Sequence, residues 1–365
     1  MTLYKKDFTV LLLSAPIGSG HRLAAEALEQ EFNARGVRVV QGNIFDFFPH
    51  FLGDAFLRCY LWVLKRCPSL YETAYRWGNR KNGSMWLRSL LNGTLAYLGR
   101  GFIEKTAPDA VIATHATPAG IMGIYKKRRP GLWLGAVVTD FTCHRWWICK
   151  GVDTYFIADA KLREQMPADA DVQAFGIPLR RSFLSLDRES CRASFGWGGG
   201  EKICLLMGGG EGLLPMDEIA AALLRENISG LRLIAVTGRN AAMAAGLRRL
   251  GDSRLEVCGF RSDVPQLMAA ADMIVTKAGA LTCAEVLAAG LELIIYKPLP
   301  GQEEGNAAFL GKHCGAHLAA DTGQLAACVR RICAGGGKRR VCGHPEAAGR
   351  ICGYALEKAK NNLFT

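Results

Sequence analysis

A segment in the second half of the chain, residues 275–285, combines residue types that suit the binding of a diphosphate and of sugar hydroxyl groups. It begins as an apolar strand, allows a tight turn at Gly279 and continues as a helix with Thr282 and Glu285 that ends before Gly290. Backbone N–H groups at a helix start attract phosphate oxygens, and a carboxylate one turn later can accept hydrogen bonds from hydroxyl groups. An ordinary βα unit in which Thr282 and Glu285 only cap the helix has the same pattern, so both interpretations stay open.

A polar cluster follows at residues 300–306 and includes Gln302, Glu303 and Asn306. Amide and carboxylate side chains can bond to the hydroxyl groups of a sugar. A strand end, a small-residue turn, a helix start and a polar cluster are together what a nucleotide-sugar site needs. The cluster therefore favours the ligand-binding interpretation of the preceding segment.

A glycine-containing loop, residues 14–22, lies between the first apolar strand and a helix that we expect to start near Leu23. Gly18 and Gly20 let the backbone approach a ligand closely, and His21 falls in the first turn of the helix, where an imidazole can face a ligand. A glycine loop after a first strand is weak evidence, because any doubly wound fold needs a tight turn there. The loop also lacks the third glycine of the dinucleotide fingerprint, so the histidine is its unusual feature.

Three motifs resemble those of the plant monogalactosyldiacylglycerol synthases and the bacterial processive diacylglycerol glucosyltransferases. They are Gly18-Ser19-Gly20-His21, Lys277-Ala278-Gly279-Ala280-Leu281-Thr282 and Pro300-Gly301-Gln302-Glu303-Glu304-Gly305-Asn306. Weaker similarity at residues 60–75, at Val138-Thr139-Asp140-Phe141 and at Phe175-Gly176-Ile177-Pro178 extends the resemblance from about residue 10 to about residue 335. These enzymes are inverting, two-domain glycosyltransferases, related more distantly to the peptidoglycan enzyme that adds N-acetylglucosamine to lipid I.

The resemblance implies catalytic roles for two residues. His21 would be the base that takes the proton of the acceptor hydroxyl, or a contact to the diphosphate. Asp140 would be its partner or an alternative base. Each residue also has a structural interpretation, since His21 could cap its helix and Asp140 could cap the turn that follows it.

The resemblance also implies a donor site in the second half of the chain. Phe260 lies where family members bind uracil through backbone groups, and Glu285 would accept hydrogen bonds from both ribose hydroxyls. Gln302 and Glu303 would bind the sugar hydroxyls, with Asn306 supporting their loop. The remaining positions expected to face the nucleotide are Gly18, Gly20, Gly208, Gly209, Gly210, Gly279, Ala280, Leu281 and Thr282.

No metal or cofactor is expected beside the donor substrate, UDP-glucose or UDP-galactose. The residues Gly208, Gly209 and Gly210 close a strand and precede a helix that we expect near Leu214, so their amides can meet phosphate oxygens without a metal. No DxD-type pair indicates a metal site. The 13 cysteines contain no C-x-x-C pair, and we expect Cys204 and Cys283 to be buried reduced thiols.

Alternating strands and helices predict an α/β fold of the GT-B type, with two facing Rossmann-like domains, parallel sheets and an interdomain cleft. The expected strands are 8–13, 110–114, 134–139, 154–158, 202–207, 232–237, 272–276 and 292–296. We expect an acceptor- and membrane-facing domain at 1–178, a nucleotide-sugar domain at 179–340, and a helix at 341–365 that returns to the first domain, as the resemblance implies. A length of 365 residues suits two such domains.

Charge and composition bear on partners and location. The formal charge of +12, from 45 basic and 33 acidic residues, predicts attraction to an anionic partner such as a diphosphate or an acidic lipid. Nucleic acid fits less well, because no helix-turn-helix, RRM, KH or zinc-finger signature is present. No apolar run approaches the roughly 18 residues of a spanning helix, and residues 1–7 lack a signal-peptide pattern. These features predict a cytoplasmic protein, peripheral on the inner face of the cell membrane.

Residues 43–100 depart from the βα alternation and mix aromatic with basic side chains. Among the residues that carry this character are Trp62, Trp77, Trp86, Tyr97, Lys65, Arg66, Arg76, Arg80, Lys81 and Arg88. Helical spacing could bury part of this set against the sheet. The same mixture suits an element at a membrane interface, with aromatic rings at headgroup depth and basic groups on anionic lipid.

Three classes of function are compatible with these features. The favoured one is an inverting, UDP-sugar-dependent hexosyltransferase acting on diacylglycerol or a glycosyl-diacylglycerol. An enzyme of the same fold with another reaction, such as a 2-epimerase, or with a non-lipid acceptor would not need the aromatic and basic segment. A non-catalytic nucleotide-sugar sensor would not need both His21 and Glu285.

Overall fold

The structure, a computed structural model, describes residues 8–15, 19–47, 77–78, 85–337 and 341–364. These residues form two compact units. The first contains the described residues up to Arg181, together with Pro300–Gln302 and those from His344 onward. The second contains Ser182–Leu299 and the described residues between Glu303 and Gly343.

The strands and helices alternate along most of the described chain. The strands are β1 (Thr9–Ser14), β2 (Arg38–Asn43), β3 (Ala110–Ala113), β4 (Trp133–Val137), β5 (Thr154–Phe156), β6 (Asp171–Gln173), β7 (Lys202–Met207), β8 (Leu231–Val236), β9 (Leu255–Cys258), β10 (Met273–Thr276), β11 (Glu292–Tyr296) and β12 (His317–Ala319). The helices are α1 (Ser19–Ala34), α2 (Met85–Leu98), α3 (Arg100–Thr106), α4 (Ala116–Tyr125), α5 (Arg188–Ser194), α6 (Met216–Arg225), α7 (Ala241–Arg248), α8 (Val264–Ala270), α9 (Ala280–Ala289), α10 (Gln302–His313), α11 (Thr322–Arg331) and α12 (Ala347–Phe364).

The first unit is built on a six-stranded parallel sheet in the order β2-β1-β3-β4-β5-β6. Side chains alternate between the two faces along each strand, so β1 contributes to two separate cores. Val10 and Leu12 pack in one cluster with residues of α1 and α12, whereas Leu11 and Leu13 pack in another with residues of α3 and α4. All four side chains are buried, which explains why the strand is a continuous apolar run.

The second unit repeats this plan with a six-stranded parallel sheet in the order β12-β11-β10-β7-β8-β9. Cys204 and Leu206 of β7 lie in a core with apolar residues of α6 and α11, including Leu223 and Val329. Burial raises the pKa of the thiol of Cys204, and likewise that of Cys283 in α9. Both cysteines are free and buried, so the expectation of buried reduced thiols is confirmed.

Each sheet has one strand at which the strand order reverses. In the first sheet this is β1, which pairs with β2 on one side and β3 on the other. In the second sheet it is β7, between β8 and β10. Connections that leave the carboxyl ends of two such neighbouring strands diverge to opposite faces and open a crevice, which is where ligands bind in open α/β sheets. A ligand site is therefore expected at the loops after β1 and β3, and at those after β7 and β10.

The eight expected strands are all present, with ends that differ by two residues at most. Three expected helix limits need correction. Helix α1 starts at Ser19 rather than near Leu23, and α6 starts at Met216 rather than near Leu214. The last helix spans Ala347–Phe364 and so begins later than the expected start at residue 341. In short polar or glycine-containing segments, the residue types alone do not indicate where helical hydrogen bonding begins.

Candidate active site

His21 lies in the first turn of α1, after the strand at which the first sheet reverses. Its Nδ1 is 2.8 Å from the backbone carbonyl oxygen of Thr114 and 2.8 Å from Oγ1 of Thr139. A carbonyl oxygen can only accept, so Nδ1 carries the proton and Nε2 keeps its lone pair. The uncharged ring is thus fixed in the tautomer whose Nε2 can act as a base.

The two threonines hold this arrangement from separate strands. Thr114 follows β3, and its hydroxyl donates to the backbone carbonyl of His21 at 3.1 Å. Thr139 follows β4, and its hydroxyl lies 3.5 Å from the Thr114 carbonyl oxygen, to which it donates while accepting from the imidazole. His21 does not cap its own helix, because its Nδ1 bonds lead to other elements. The capping interpretation of His21 is therefore wrong.

The protonation of His21 is set by its surroundings. Burial lowers the pKa of His21, whereas the nearby Asp140 carboxylate and the bond to Thr114 raise it, and the result lies below the ordinary histidine value. Asp140 is 6% exposed and follows β4 by three residues. The ring is therefore uncharged near neutral pH, and the Asp140 carboxylate is placed to stabilise an imidazolium once a proton has been taken. The structure brings these two predicted residues together.

In the second unit, a glycine loop follows β7, the strand at which that sheet reverses. A Cβ on Gly208 would lie 2.5 Å from the backbone nitrogen of Leu214, and a Cβ on Gly212 would lie 2.4 Å from the carbonyl oxygen of Thr237. The amide of Arg239 donates to the carbonyl of Gly210 at 3.0 Å. The loop and the β8–α7 turn therefore pack backbone against backbone, a distance that only glycine permits.

The turn between β10 and α9 has the form expected of a phosphate-binding helix start. Gly279 precedes the helix without any side-chain cap, α9 runs from Ala280 to Ala289, and Gly290 ends it with a φ of 73°. Thr282 is therefore the third residue of the helix, and the interpretation of Thr282 and Glu285 as helix caps is wrong. The side chain of Asn306, fully buried in α10, donates to the carbonyl of Ala278 at 3.1 Å and so supports this turn.

Helix α9 is buried at most of its positions rather than amphipathic. Glu285 lies in its second turn and is 5% exposed, among buried neighbours that include Leu281 and Ala284. Glu285 therefore lies one turn from a helix start that has no side-chain cap.

The polar cluster at the start of α10 contains an ion pair that the sequence did not predict. The ammonium group of Lys277 pairs with one carboxylate oxygen of Glu303, and the other oxygen accepts the amide of Leu299 at 2.9 Å. A Cβ on Gly279 would lie 3.7 Å from Nζ of Lys277, so the pair lies against the turn before α9. Glu303 is therefore held in place by the protein through both of its carboxylate oxygens.

The other predicted positions fall as follows. Phe260 lies between β9 and α8 and is 70% exposed. Gln302 is the first residue of α10, and Gly20 lies in the first turn of α1. Gly18 lies outside the described residues. The same holds for residues 60–75, which carry part of the family resemblance.

Helix α2 presents large apolar side chains to solvent. Trp86, Leu90 and Tyr97 are 67%, 60% and 72% exposed. Arg88 of the same helix has a different role from the lipid contact expected for it. Its guanidinium donates to the backbone carbonyls of Arg145, Trp146 and Ile148, at 3.0 to 3.2 Å. Arg80 and Lys81 lie outside the described residues.

Among the described histidine, cysteine, aspartate and glutamate residues, no group of three or more lies close enough to hold a metal ion. None of the helices within the described ranges has the length together with the hydropathy that crossing a bilayer requires.

Comparison with known proteins gives matches over both units. The model of the monogalactosyldiacylglycerol (MGDG) synthase family matches residues 21–179, and that of the glycosyltransferase family 28 C-terminal domain matches residues 203–325. The chain is 28% identical over 334 residues to the processive diacylglycerol beta-glucosyltransferase of Bacillus cereus (strain B4264), covering 88% of this chain and 84% of the relative. It is 30% identical over 331 residues to monogalactosyldiacylglycerol synthase 3, chloroplastic, of Arabidopsis thaliana, covering 83% of this chain and 69% of the relative.

Among solved structures, the crystal structure of Acinetobacter baumannii MurG resembles this chain with a TM-score of 0.66 at 18% identity, covering 96% of this chain and 99% of MurG. This likeness is one of fold. Together with the two parallel sheets it confirms the predicted α/β fold of the GT-B type.

Proposed function

This chain belongs to the monogalactosyldiacylglycerol synthase family of glycosyltransferases, and from that membership we propose that it transfers a hexose from a UDP-sugar to diacylglycerol or a glycosyl-diacylglycerol. The main support for the proposal is the hydrogen bonding and protonation of His21. Its Nδ1 proton is bound by the Thr114 carbonyl and its pKa is lowered, which leaves an uncharged Nε2 as a general base. Such a base can remove the proton of a hydroxyl group on the acceptor.

We propose the following step. The acceptor hydroxyl oxygen attacks the anomeric carbon of the donor while the bond from that carbon to the diphosphate oxygen breaks. The hydroxyl proton moves to Nε2 of His21, and UDP leaves with the electron pair of the broken bond. Asp140 stabilises the imidazolium that forms. A single displacement of this kind inverts the anomeric configuration.

The second unit supplies the groups that would bind the donor. The backbone of the loop at Gly208 and the open start of α9 at Gly279 offer amides to the diphosphate. Glu285 binds the two ribose hydroxyls, the backbone at Phe260 binds the uracil, and Glu303 binds hydroxyls of the sugar. The remaining positions of the glycine loop that follows β7 complete the donor site in this proposal. It requires neither a metal nor a cofactor.

The lipid acceptor places the work of this protein at a membrane surface. The exposed apolar side chains of α2, with Trp86 and Tyr97 the most exposed, suit contact with the headgroup region of a bilayer. The net charge of +12 adds attraction to anionic lipid. We therefore propose a peripheral position on the cytoplasmic, inner face of the cell membrane, with anionic lipid as the partner surface.

The test is incubation of the protein with UDP-glucose or UDP-galactose and vesicles that contain diacylglycerol, followed by mass spectrometry of the lipid phase. The expected result is a lipid one hexose heavier, formed with one of the two donors and in step with UDP release. A control without diacylglycerol gives no glycolipid. A sugar epimer or free hexose as the product, with an unchanged lipid phase, contradicts the proposal.

A further inference from the structure

His115 occupies a position next to His21 that the sequence did not single out. It follows β3 directly after Thr114 and stands at the N-cap of α4. Its Nδ1 accepts the backbone N–H of Thr117 at 3.2 Å, which satisfies one of the free amides of the helix start. Nδ1 is therefore the unprotonated nitrogen, and the proton of the uncharged ring is on Nε2.

The ring of His115 lies close to two other rings. Its centroid is 4.7 Å from that of His21, with an angle of 88° between the planes, and 6.4 Å from that of Trp147. Trp147 is 3% exposed, and Arg88 donates to carbonyls on both sides of it in the chain, those of Trp146 and Ile148. The ring of His115 is thus positioned by the buried indole of Trp147 and by its hydrogen bond to the start of α4.

Charge agrees with this geometry. Burial lowers the pKa of His115 well below the ordinary value, and His21 lowers it further. Asp140, after β4, is the charged group that acts on His21, and it raises the pKa of that ring. The ring of His115, after β3, is uncharged and does not repel the imidazolium that forms on His21.

We propose that His115 is a positioning residue for His21. Its uncharged ring packs edge-on against the imidazole of His21, keeps Nε2 aimed at the reactant and excludes water from that side. The inference rests on the proposed role of His21 as the base, and it assigns to His115 no contact with substrate.

Two substitutions distinguish the effect of the His115 ring from that of its Nδ1 as an N-cap acceptor. His115→Asn keeps an N-cap acceptor and removes the ring, whereas His115→Phe keeps a ring and removes the acceptor. For His115→Asn we expect kcat to fall about 10- to 100-fold, the effect of a slightly misplaced base. We also expect the acid limb of the kcat/KM profile to move to higher pH, because water around His21 raises its pKa. KM for the UDP-sugar stays within about twofold, since donor binding belongs to other residues.

For His115→Phe the expectation is reversed. Its Tm falls because the helix start loses a cap, but kcat stays within about threefold of the wild type and the acid limb does not move. His115→Ser, which also keeps a cap acceptor and removes the ring, replaces His115→Asn if the latter fails to fold. A folded ring-deletion variant with wild-type kcat and an unmoved acid limb overturns the proposal. So does a His115→Phe variant as impaired and as shifted as His115→Asn, because the imidazole itself would then be required.

An NMR titration of the His21 ring, identified by comparison with His21→Gln, separates this inference from the proposed function. It needs no turnover. The pKa of His21 is expected to rise in His115→Asn and to stay unchanged in His115→Phe. If the protein glycosylates no lipid but the titrations behave in this way, the proposed function fails and the positioning role stands. If transfer occurs and the pKa of His21 is the same in all three proteins, the positioning role fails.

Discussion

A histidine acts as a base only if its lone pair faces the proton that it takes. For His21 the lone pair is assigned by a backbone carbonyl, that of Thr114, which cannot donate and so forces the ring proton onto Nδ1. Many catalytic histidines are oriented by a carboxylate. Here the carboxylate of Asp140 acts through its charge on a ring that a carbonyl and a hydroxyl already orient. Orientation and charge stabilisation are thus supplied by separate residues.

Loss of the His21 ring should remove the base and leave donor binding in place. For His21→Ala we expect turnover to fall about 10²- to 10⁴-fold, the usual range for a general base. Calorimetry with UDP should give an affinity within about twofold of the wild type, since binding does not depend on proton transfer. Near-normal turnover would end the assignment of His21 as the base. Unchanged folding with lost UDP binding would assign it to the diphosphate instead.

The lowered pKa of His21 predicts the pH dependence of the reaction. The active form is the uncharged ring, so kcat/KM should stay level as pH falls through about 6.5, the ordinary histidine pKa, and decline only at lower pH. The stability of the fold also decreases at low pH, because the folded state binds fewer protons at His21 than the unfolded state does. The contribution of His21 to the free energy of unfolding falls as pH drops from about 6.5 through the pKa of the folded state. An acid limb at or above the ordinary value is the contradicting result.

Glu285 provides the test of the donor site. Two hydrogen bonds from ribose hydroxyls to a carboxylate are lost in Glu285→Ala, and UDP binding should weaken by about 2 to 4 kcal/mol. Calorimetry measures the change directly. The matched control is Glu304→Ala, which removes an exposed carboxylate one residue after Glu303 and should leave UDP affinity as it is. Unchanged affinity in a folded Glu285→Ala protein would exclude Glu285 from the site.

The parts of the candidate site that could be predicted from the sequence are those whose residues lie close together along the chain. Gly279, Glu285 and His21 were predicted, since each belongs to a strand, turn and helix start that are continuous in the sequence. The partners Thr114 and Thr139 were not, because they reach His21 from 93 and 118 residues away. The pairing of Lys277 with Glu303 was missed for the same reason. Residue types indicate a site, but its hydrogen bonds form only when the sheet joins distant strand ends.

At the scale of elements, the prediction succeeded for central strands and failed for edge strands. The four strands that were not predicted are β2, β6, β9 and β12, which are the outer strands of the two sheets. Central strands of a parallel sheet are covered on both faces and become apolar runs. Edge strands are partly solvated, as the polar sequence of β2 and the half-buried β6 and β9 show. Their signal is therefore weak in any single sequence.

Helix α2 carries the prediction for the membrane. Its exposed apolar side chains gain by entering a bilayer, each worth on the order of 1.5 to 3 kcal/mol when fully buried. The double substitution Trp86→Ser and Leu90→Ser should therefore weaken the affinity for anionic vesicles, measured by sedimentation, at least about tenfold. Binding of the wild type should also weaken as salt rises, because the charged contribution is screened.

The control for that experiment is Leu250→Ser, which removes an exposed apolar side chain of the second unit. It should bind vesicles as the wild type does. Equal binding by all three proteins would show that α2 is not the element that meets the membrane. Binding that is the same with neutral and anionic vesicles at every salt concentration would exclude the charged contribution.

At the scale of the whole molecule, the two units repeat one architectural solution. In each, a residue or loop singled out by its chemistry follows the strand where the order reverses: His21 after β1 and the glycine loop after β7. Other such residues follow strands further along the chain, among them Asp140 after β4 and Glu285 after β10. The fold class could be predicted because alternating strands and helices leave few other arrangements. The strand order could not, because it depends on which apolar faces pack together.

In the proposed reaction a lipid hydroxyl, deprotonated by His21, displaces UDP from the sugar in a single step. The most direct measurement is the anomeric configuration of the glycolipid made from an α-linked UDP-hexose, read from the proton NMR spectrum of the purified product. The wild type is expected to give the β-glycoside, and His21→Ala almost no product. An α-glycoside, or a glycolipid formed at the wild-type rate by His21→Ala, would contradict this mechanism.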